Sequence, residues 1–241
     1  MEVTNYLLGY ENLNIVQDTE MFHFSLDSVL LPNFVTLNKK ISQVLDIGCG
    51  NAPIPLILST LTDAHITGIE VQEKVFELAR KSVSINGLDQ QISIVCQDVN
   101  DYYQEHDGEF FDVITCNPPF FKVSEGSNLN KNEYKTIARH EVLLNLEQLL
   151  KISRKLLKNQ GVLGIVHRPD RLSDILYEMR VNHIEPKKIQ FVYPFPDQEA
   201  NIVLVEGMKN GKPGMKVLPP IYTHNEDGSY TPQVKKYFEN R

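Results

Sequence analysis

The sequence is poor in the residues that build metal centres and disulfide frameworks. Its 241 residues hold three cysteines, Cys49, Cys96 and Cys116. The number is odd and none forms a C-x-x-C pair, which argues against a disulfide scaffold or a zinc ribbon. Small buried residues in a reducing, cytoplasmic compartment are expected instead. The seven histidines are scattered and no H-E-x-x-H occurs, so no metal site is expected. No apolar run approaches the length of a membrane span. The opening M-E-V-T-N-Y-L-L-G-Y-E-N has neither a basic region nor a long apolar stretch, so a signal peptide is not expected. Internal repeats and low-complexity segments are missing, and nothing points to an obligate protein partner.

What is present suits one large domain with a full core: 41% of residues are apolar and 23% charged. The net charge of −7 is uneven. Residues 1–119 carry 5 lysines and arginines against 17 aspartates and glutamates, and residues 120–241 carry 19 against 14. Solvated helix faces account for that imbalance at least as well as a polyanionic partner does.

Beyond residue 40 the pattern becomes regular. S-Q-V-L-D-I-G (42–48), H-I-T-G-I-E (65–70), I-S-I-V-C-Q-D (92–98), F-F-D-V-I-T-C (110–116) and G-V-L-G-I-V-H (161–167) read as strands. Helical patterns cover 53–61, 71–87, 140–158 and 170–183. The last two strands, 187–193 and 200–206, are joined by only P-F-P-D-Q-E, too short for a parallel crossover. The expected fold is therefore α/β: a doubly wound, mostly parallel seven-stranded sheet with a C-terminal antiparallel hairpin, Rossmann-like. One domain spans 1–241, with residues 1–40 as an N-terminal extension, 41–206 as the core and 207–241 as a tail.

Ligands of such sheets bind beyond the carboxyl ends of the strands. L-D-I-G-C-G-N-A-P-I-P places Asp46, Gly48 and Gly50 there, with Glu70 and Asp98 at the next two strand ends. The glycines allow close backbone approach, and an acid 22 residues after Gly48 suits ribose hydroxyls. The dinucleotide fingerprint G-x-G-x-x-G fails at Pro53, so a nucleoside without a diphosphate fits better.

Asn117-Pro118-Pro119-Phe120 ends the fourth strand. A conjugated amine is a poor nucleophile because its lone pair is delocalised. The Asn117 side-chain carbonyl and the Pro118 backbone carbonyl can accept its two N–H bonds, which draws the nitrogen towards tetrahedral geometry. Pro119 stiffens the turn, and Phe120 offers a ring for a flat substrate. Arg139-His140 and K-N-G-K-P-G-M-K (209–216) are weaker candidates for phosphate contacts.

D-I-G-C-G, Glu70, Asp98 and N-P-P-F, in this order, resemble the class I S-adenosylmethionine-dependent methyltransferases that act on exocyclic or amide nitrogen. F-S-L-D-S-V-L-L (24–31), A-R-H-E (138–141) and D-G-S-Y-T (227–231) are similar to the bacterial tRNA1(Val) adenine-N6 methyltransferase family. The resemblance implies S-adenosylmethionine as cofactor and adenine 37 of a tRNA as target. It implies that Asp46, Gly48 and Gly50 line the methionine side of the cofactor, that Glu70 binds its ribose and that Asp98 binds its adenine amine. Asn117 to Phe120 would hold the target base, and Asp27, in the N-terminal extension, would lie over the cofactor and substrate pocket. The family's third loop glycine is replaced here by Ala52. N-P-P-F is shared with rRNA guanine-N2 and protein glutamine methyltransferases, which are the alternative activities. A non-catalytic RNA-binding protein of the same fold is the alternative outside enzymes.

Overall fold

The aromatic-rich start of the chain folds into a hairpin that the strand and helix pattern read above does not include. In the computed structural model, which describes residues 1–7, 10–20, 25–106, 108–118 and 145–237, strands β1 (Glu2–Leu7) and β2 (Tyr10–Asp18) form a two-stranded antiparallel sheet. Helix α1 (Asp27–Phe34) follows, also unexpected, with all but one of its residues buried.

The main sheet begins after it. Strands β3 (Gln43–Ile47), β4 (His65–Glu70), β5 (Ile92–Cys96), β6 (Phe111–Cys116) and β7 (Leu157–His167) pair in parallel. Their apolar runs suit strands covered on both faces. Strands β8 (Ile184–Tyr193) and β9 (Ile202–Lys209) form the expected antiparallel hairpin, with β9 inserted between β7 and β8. The order is β8-β9-β7-β6-β3-β4-β5. Two short strands, β10 (Lys216–Val217) and β11 (Ile221–Tyr222), pair in parallel with the outer edge of β8 and raise the expected seven strands to nine. β7 also starts four residues before the expected Gly161.

Helices cover both faces. Leu30 of α1, Leu56 and Ile57 of α2 (Pro53–Ser59) and Val83 of α3 (Glu73–Ile85) share one core. Tyr102 of α4 (Val99–Glu105), Leu149 and Leu150 of α5 (Leu146–Leu156) and Ile175 of α6 (Leu172–Val181) share the other. The short helix α4 was not expected either. The chain runs outward from β3 through β4 to β5, then returns to β6 on the other flank of β3. The switch point is therefore the gap between β3 and β6, where a sheet of this kind opens a crevice.

Polar clamps hold the N-terminal segment down. Val16 N–H donates to Ser82 Oγ at 2.9 Å. The Asn86 side chain accepts from Asn14 N–H at 2.9 Å and donates to Asn14 C=O at 2.7 Å, as a strand neighbour would. After α1, Glu206 accepts from Thr36 N–H and Oγ1 and pairs with Lys188 at 3.1 Å.

Candidate functional site

Parallel register sets the geometry at the switch point. Ile47 pairs with Ile69 of β4 on one side and with Cys116 of β6 on the other. The next residues, Gly48 and Asn117, therefore leave adjacent strands side by side, with Glu70 beside Gly48 on its other flank. Glu70 in turn pairs with Cys96, two residues before Asp98.

Asp46 is fully buried on β3 and pairs in register with Thr115 of β6. The Thr115 hydroxyl donates to its Oδ1 at 2.6 Å, while Oδ2 is buried with no partner in the protein. Burial pushes the Asp46 carboxyl up to about 7; the Thr115 hydroxyl works against this and the charge of Glu70 adds to it. An unsatisfied buried carboxylate oxygen is costly, and a cationic donor would satisfy it.

The loop after β3 is shaped by three residues in the left-handed region: Gly48 at φ 69°, Gly50 at φ 56° and Ala52 at φ 71°. A Cβ built on Gly48 or Gly50 meets nothing within 4 Å, so it is backbone conformation that favours glycine there, and the space around both is open. Ala52 keeps the conformation of the expected third glycine at a cost of about 1–2 kcal/mol. Cys49 N–H donates to Ile69 C=O at 2.9 Å, and its side chain lies over β4. Only glycine fits beneath it, since a Cβ on Gly68 would stand 2.8 Å from Cys49 Sγ. Asn51 donates to Val16 C=O at 2.9 Å, which ties the loop to the N-terminal hairpin.

Glu70 is 6% exposed and is more than a surface acid. Its Oε2 accepts from Gly50 N–H at 3.1 Å and its Oε1 from Gln72 N–H at 2.9 Å. Burial pushes its carboxyl up despite these bonds. Glu70→Ala is expected to weaken binding of an adenosyl ligand by about 1–3 kcal/mol and to lower the Tm as well, because two backbone donors lose their partner. Calorimetry and thermal melting of the same preparation check this; unchanged values in both would show that Glu70 holds neither the loop nor a ligand.

Asp98 caps α4, with Oδ1 accepting from Asn100 N–H and Nδ2, each at 2.8 Å. The residue read as a ligand-binding acid thus also starts a helix, with the typical preference of that position for aspartate. Asp27 opens α1, is 8% exposed, and its carboxyl is pushed up by burial against a bond from Ser25. It sits on a helix that packs against α2, the helix that follows the glycine loop. Asn117 is partly buried and Pro118 buried. Pro119, Phe120, Arg139 and His140 lie outside the described residues.

Two expectations are corrected. Cys49 and Cys116 are buried, but Cys96 is exposed, because it ends β5 at the sheet edge. Lys209 is not available to a phosphate: it is 1% exposed and donates to Leu157 C=O and Glu109. Sequence reading also missed Thr115 and Asn51. Their polarity within or beside apolar runs was the available signal. Among the described residues no cluster of three His, Cys, Asp or Glu is placed to hold a metal ion, and no helix is long and apolar enough to cross a membrane.

The sequence profile of the methyltransferase small domain matches residues 23–185. The chain belongs to the methyltransferase small-domain family. Across 240 residues it is 26% identical to a protein of Bacteroides thetaiotaomicron named tRNA1(Val) (adenine(37)-N6)-methyltransferase, covering 98% of each chain. A protein of the same name from Shewanella woodyi is 24% identical over 87% of this chain and 88% of its own. In fold, the chain is similar to the crystal structure of a predicted O-methyltransferase from Agrobacterium tumefaciens, with a TM-score of 0.67 and 18% identity, covering 88% of this chain and 95% of that one. This methyltransferase family has the Rossmann-like sheet that the alternation of strands and helices implies.

Proposed function

We propose that this methyltransferase modifies the exocyclic N6 amine of an adenine in tRNA, with adenine 37 of an anticodon loop as its target and S-adenosylmethionine as its cofactor. The observation that carries the reading is the emergence of Gly48 and Asn117, side by side, from β3 and β6 at the switch point. A cofactor loop and an amine-holding motif must lie this close for direct transfer between them. The names of the two relatives supply the substrate class, and the match to one of them over nearly the whole chain supports carrying it over.

The residues present fit the cofactor. Asp46 offers a buried, unpartnered oxygen suited to a cationic amino-acid group, and the open space at Gly48 and Gly50 admits close backbone approach. Glu70 lines the ribose side, with lone pairs remaining on both oxygens. Asp98 has its capping bonds converging on Oδ1, which leaves Oδ2 for the adenine amine. When bound, S-adenosylmethionine supplies an electrophilic methyl group on a sulfonium.

The chain's own part is to hold the acceptor nitrogen. Asn117 Oδ1 and Pro118 C=O accept the two N–H bonds of the amine, and their dipoles stabilise the positive charge that grows on nitrogen. No base is required beforehand, since the proton becomes acidic only as the new N–C bond forms. Phe120 stacks on the adenine ring, and Asp27, at the start of the buried helix α1, borders the pocket.

Nucleoside mass spectrometry of tRNA from cells with and without this gene tests the reading. Loss of N6-methyladenosine from one tRNA supports it. Loss of N2-methylguanosine moves the activity to guanine, and an unchanged nucleoside profile overturns it.

A further inference from the structure

The tail motif D-G-S-Y-T has no part in the site just described, yet it is elaborately built. Asp227 Oδ1 accepts from Ser229 N–H at 2.9 Å and from Ser229 Oγ at 2.6 Å. Asn225 N–H donates to Ser229 C=O at 2.8 Å, and Gly228 takes φ 80°. Thr231 Oγ1 donates to Tyr222 C=O at 2.6 Å and caps α7 (Pro232–Lys235). The result is a stiff turn that carries Tyr230 back against His224, with ring centroids 5.1 Å apart.

That pair continues a row. His224 N–H donates to Pro194 C=O at 3.0 Å, which extends the pairing of β11 with β8. His224 lies 5.8 Å from Phe195, which is fixed between two prolines, and Tyr222 lies 5.5 Å from Tyr193. Strand alternation puts Tyr193, Phe195, Tyr222 and His224 on one side, while Val192 and Ile221 point into the core, against which Tyr230 also packs. All five rings are partly exposed.

The location matters as much as the rings. β8 and β7 are both antiparallel to β9, and β7 is parallel to β6. The ring row therefore lies on the same edge of the sheet as Asn117. β8 is three strand spacings from β6, about 14 Å, and β11 lies one strand further out. Resting on the tRNA reading above, we infer that Tyr193, Phe195, Tyr222, His224 and Tyr230 form a second stacking platform, which takes an unpaired nucleotide of the RNA loop flanking the target adenine. Loop bases become available for stacking on protein rings when they are splayed out of their own stack. The turn's exposed Glu226 and Asp227 repel phosphate, so the tip faces bases and not backbone. Exposed Lys235 and Lys236, directly after it, provide the cations for neighbouring phosphates.

The test uses the full chain and an unmodified anticodon stem-loop carrying 2-aminopurine at each position flanking the target in turn. Phe195→Leu keeps apolar bulk and loses the π face; His224→Leu keeps similar bulk and loses both the π face and the Nδ1 bond to Thr223 Oγ1. Each is expected to raise KM for the stem-loop about ten-fold, within the range for one lost stacking contact. kcat and Tm are expected to stay near wild type, and Phe195→Tyr to restore KM. In the wild type with S-adenosylhomocysteine, fluorescence at one flanking position should be quenched, and that quenching should disappear in the Leu variants. If the wild type methylates the RNA but KM and quenching are the same in both Leu variants, the platform is wrong and the proposed reaction stands. If the wild type neither binds nor methylates RNA, the proposed reaction fails and the platform fails with it. A Leu variant that lowers Tm is replaced in the comparison by the wild-type fluorescence, where absence of quenching at every flanking position overturns the platform.

Discussion

Asn117→Ala is expected to slow methyl transfer by about 10²–10³ while leaving cofactor affinity close to wild type. Asn117 follows the last residue of β6 and emerges beside Gly48, so its side chain can reach the acceptor nitrogen without belonging to the cofactor loop. The interaction strengthens as positive charge grows on nitrogen. Its loss should therefore appear in kcat and much less in KM. Single-turnover transfer at saturating RNA measures the first quantity, and calorimetry with S-adenosylhomocysteine measures the second. A variant that turns over at the wild-type rate would show that the motif after β6 holds nothing for chemistry. Equal losses in rate and cofactor affinity would place Asn117 in the cofactor site instead.

Asp46→Asn is expected to stabilise the ligand-free protein at alkaline pH and to weaken its cofactor binding. The Asp46 carboxyl lies at about 7 in the folded protein against 3.8 for an ordinary aspartate. A carboxyl raised on folding favours the fold while it is protonated. That contribution is complete below pH 4 and is lost as pH rises through 7. Full ionisation of a group displaced this far costs roughly 4 kcal/mol, at about 1.4 kcal/mol per pH unit. Asparagine keeps an oxygen for the Thr115 hydroxyl and cannot ionise. Urea unfolding at pH 4.5 and pH 8 should show a gain for the variant that is large at pH 8 and small at pH 4.5. Glu70 is pushed in the same direction in both proteins, so the difference between them reports on Asp46. A gain independent of pH would show that Asp46 does not titrate in this range. Such a trade of stability against binding is common where a buried charge serves a ligand.

Much of this site was legible because strand ends are legible. Apolar runs that stop at Gly48, Glu70 and Asn117 mark the carboxyl edge of a parallel sheet, and the fold does the rest by register. Asp98 was legible as an acid but not as a helix cap, because α4 is only seven residues long and its pattern is weak. The N-terminal hairpin was not read, although Leu13 and Ile15, both buried, alternate with Asn12 and Asn14. What commits that segment to its place, however, is Asn86, 72 residues further on, and Asn51 in the glycine loop. Such contacts leave no local pattern. The same holds for Thr115, whose bond to Asp46 depends on the alignment of β3 with β6.

The most direct measurement is transfer of labelled methyl from S-adenosylmethionine to unmodified tRNA by the purified chain, followed by nucleoside digestion and sequencing of the modified position. The proposed reaction predicts label in N6-methyladenosine, at adenine 37 of one tRNA, and initial labelling about 10²–10³-fold slower with Asn117→Ala. Label in N2-methylguanosine, label in protein glutamine, or no transfer to any RNA by the wild-type chain would contradict it.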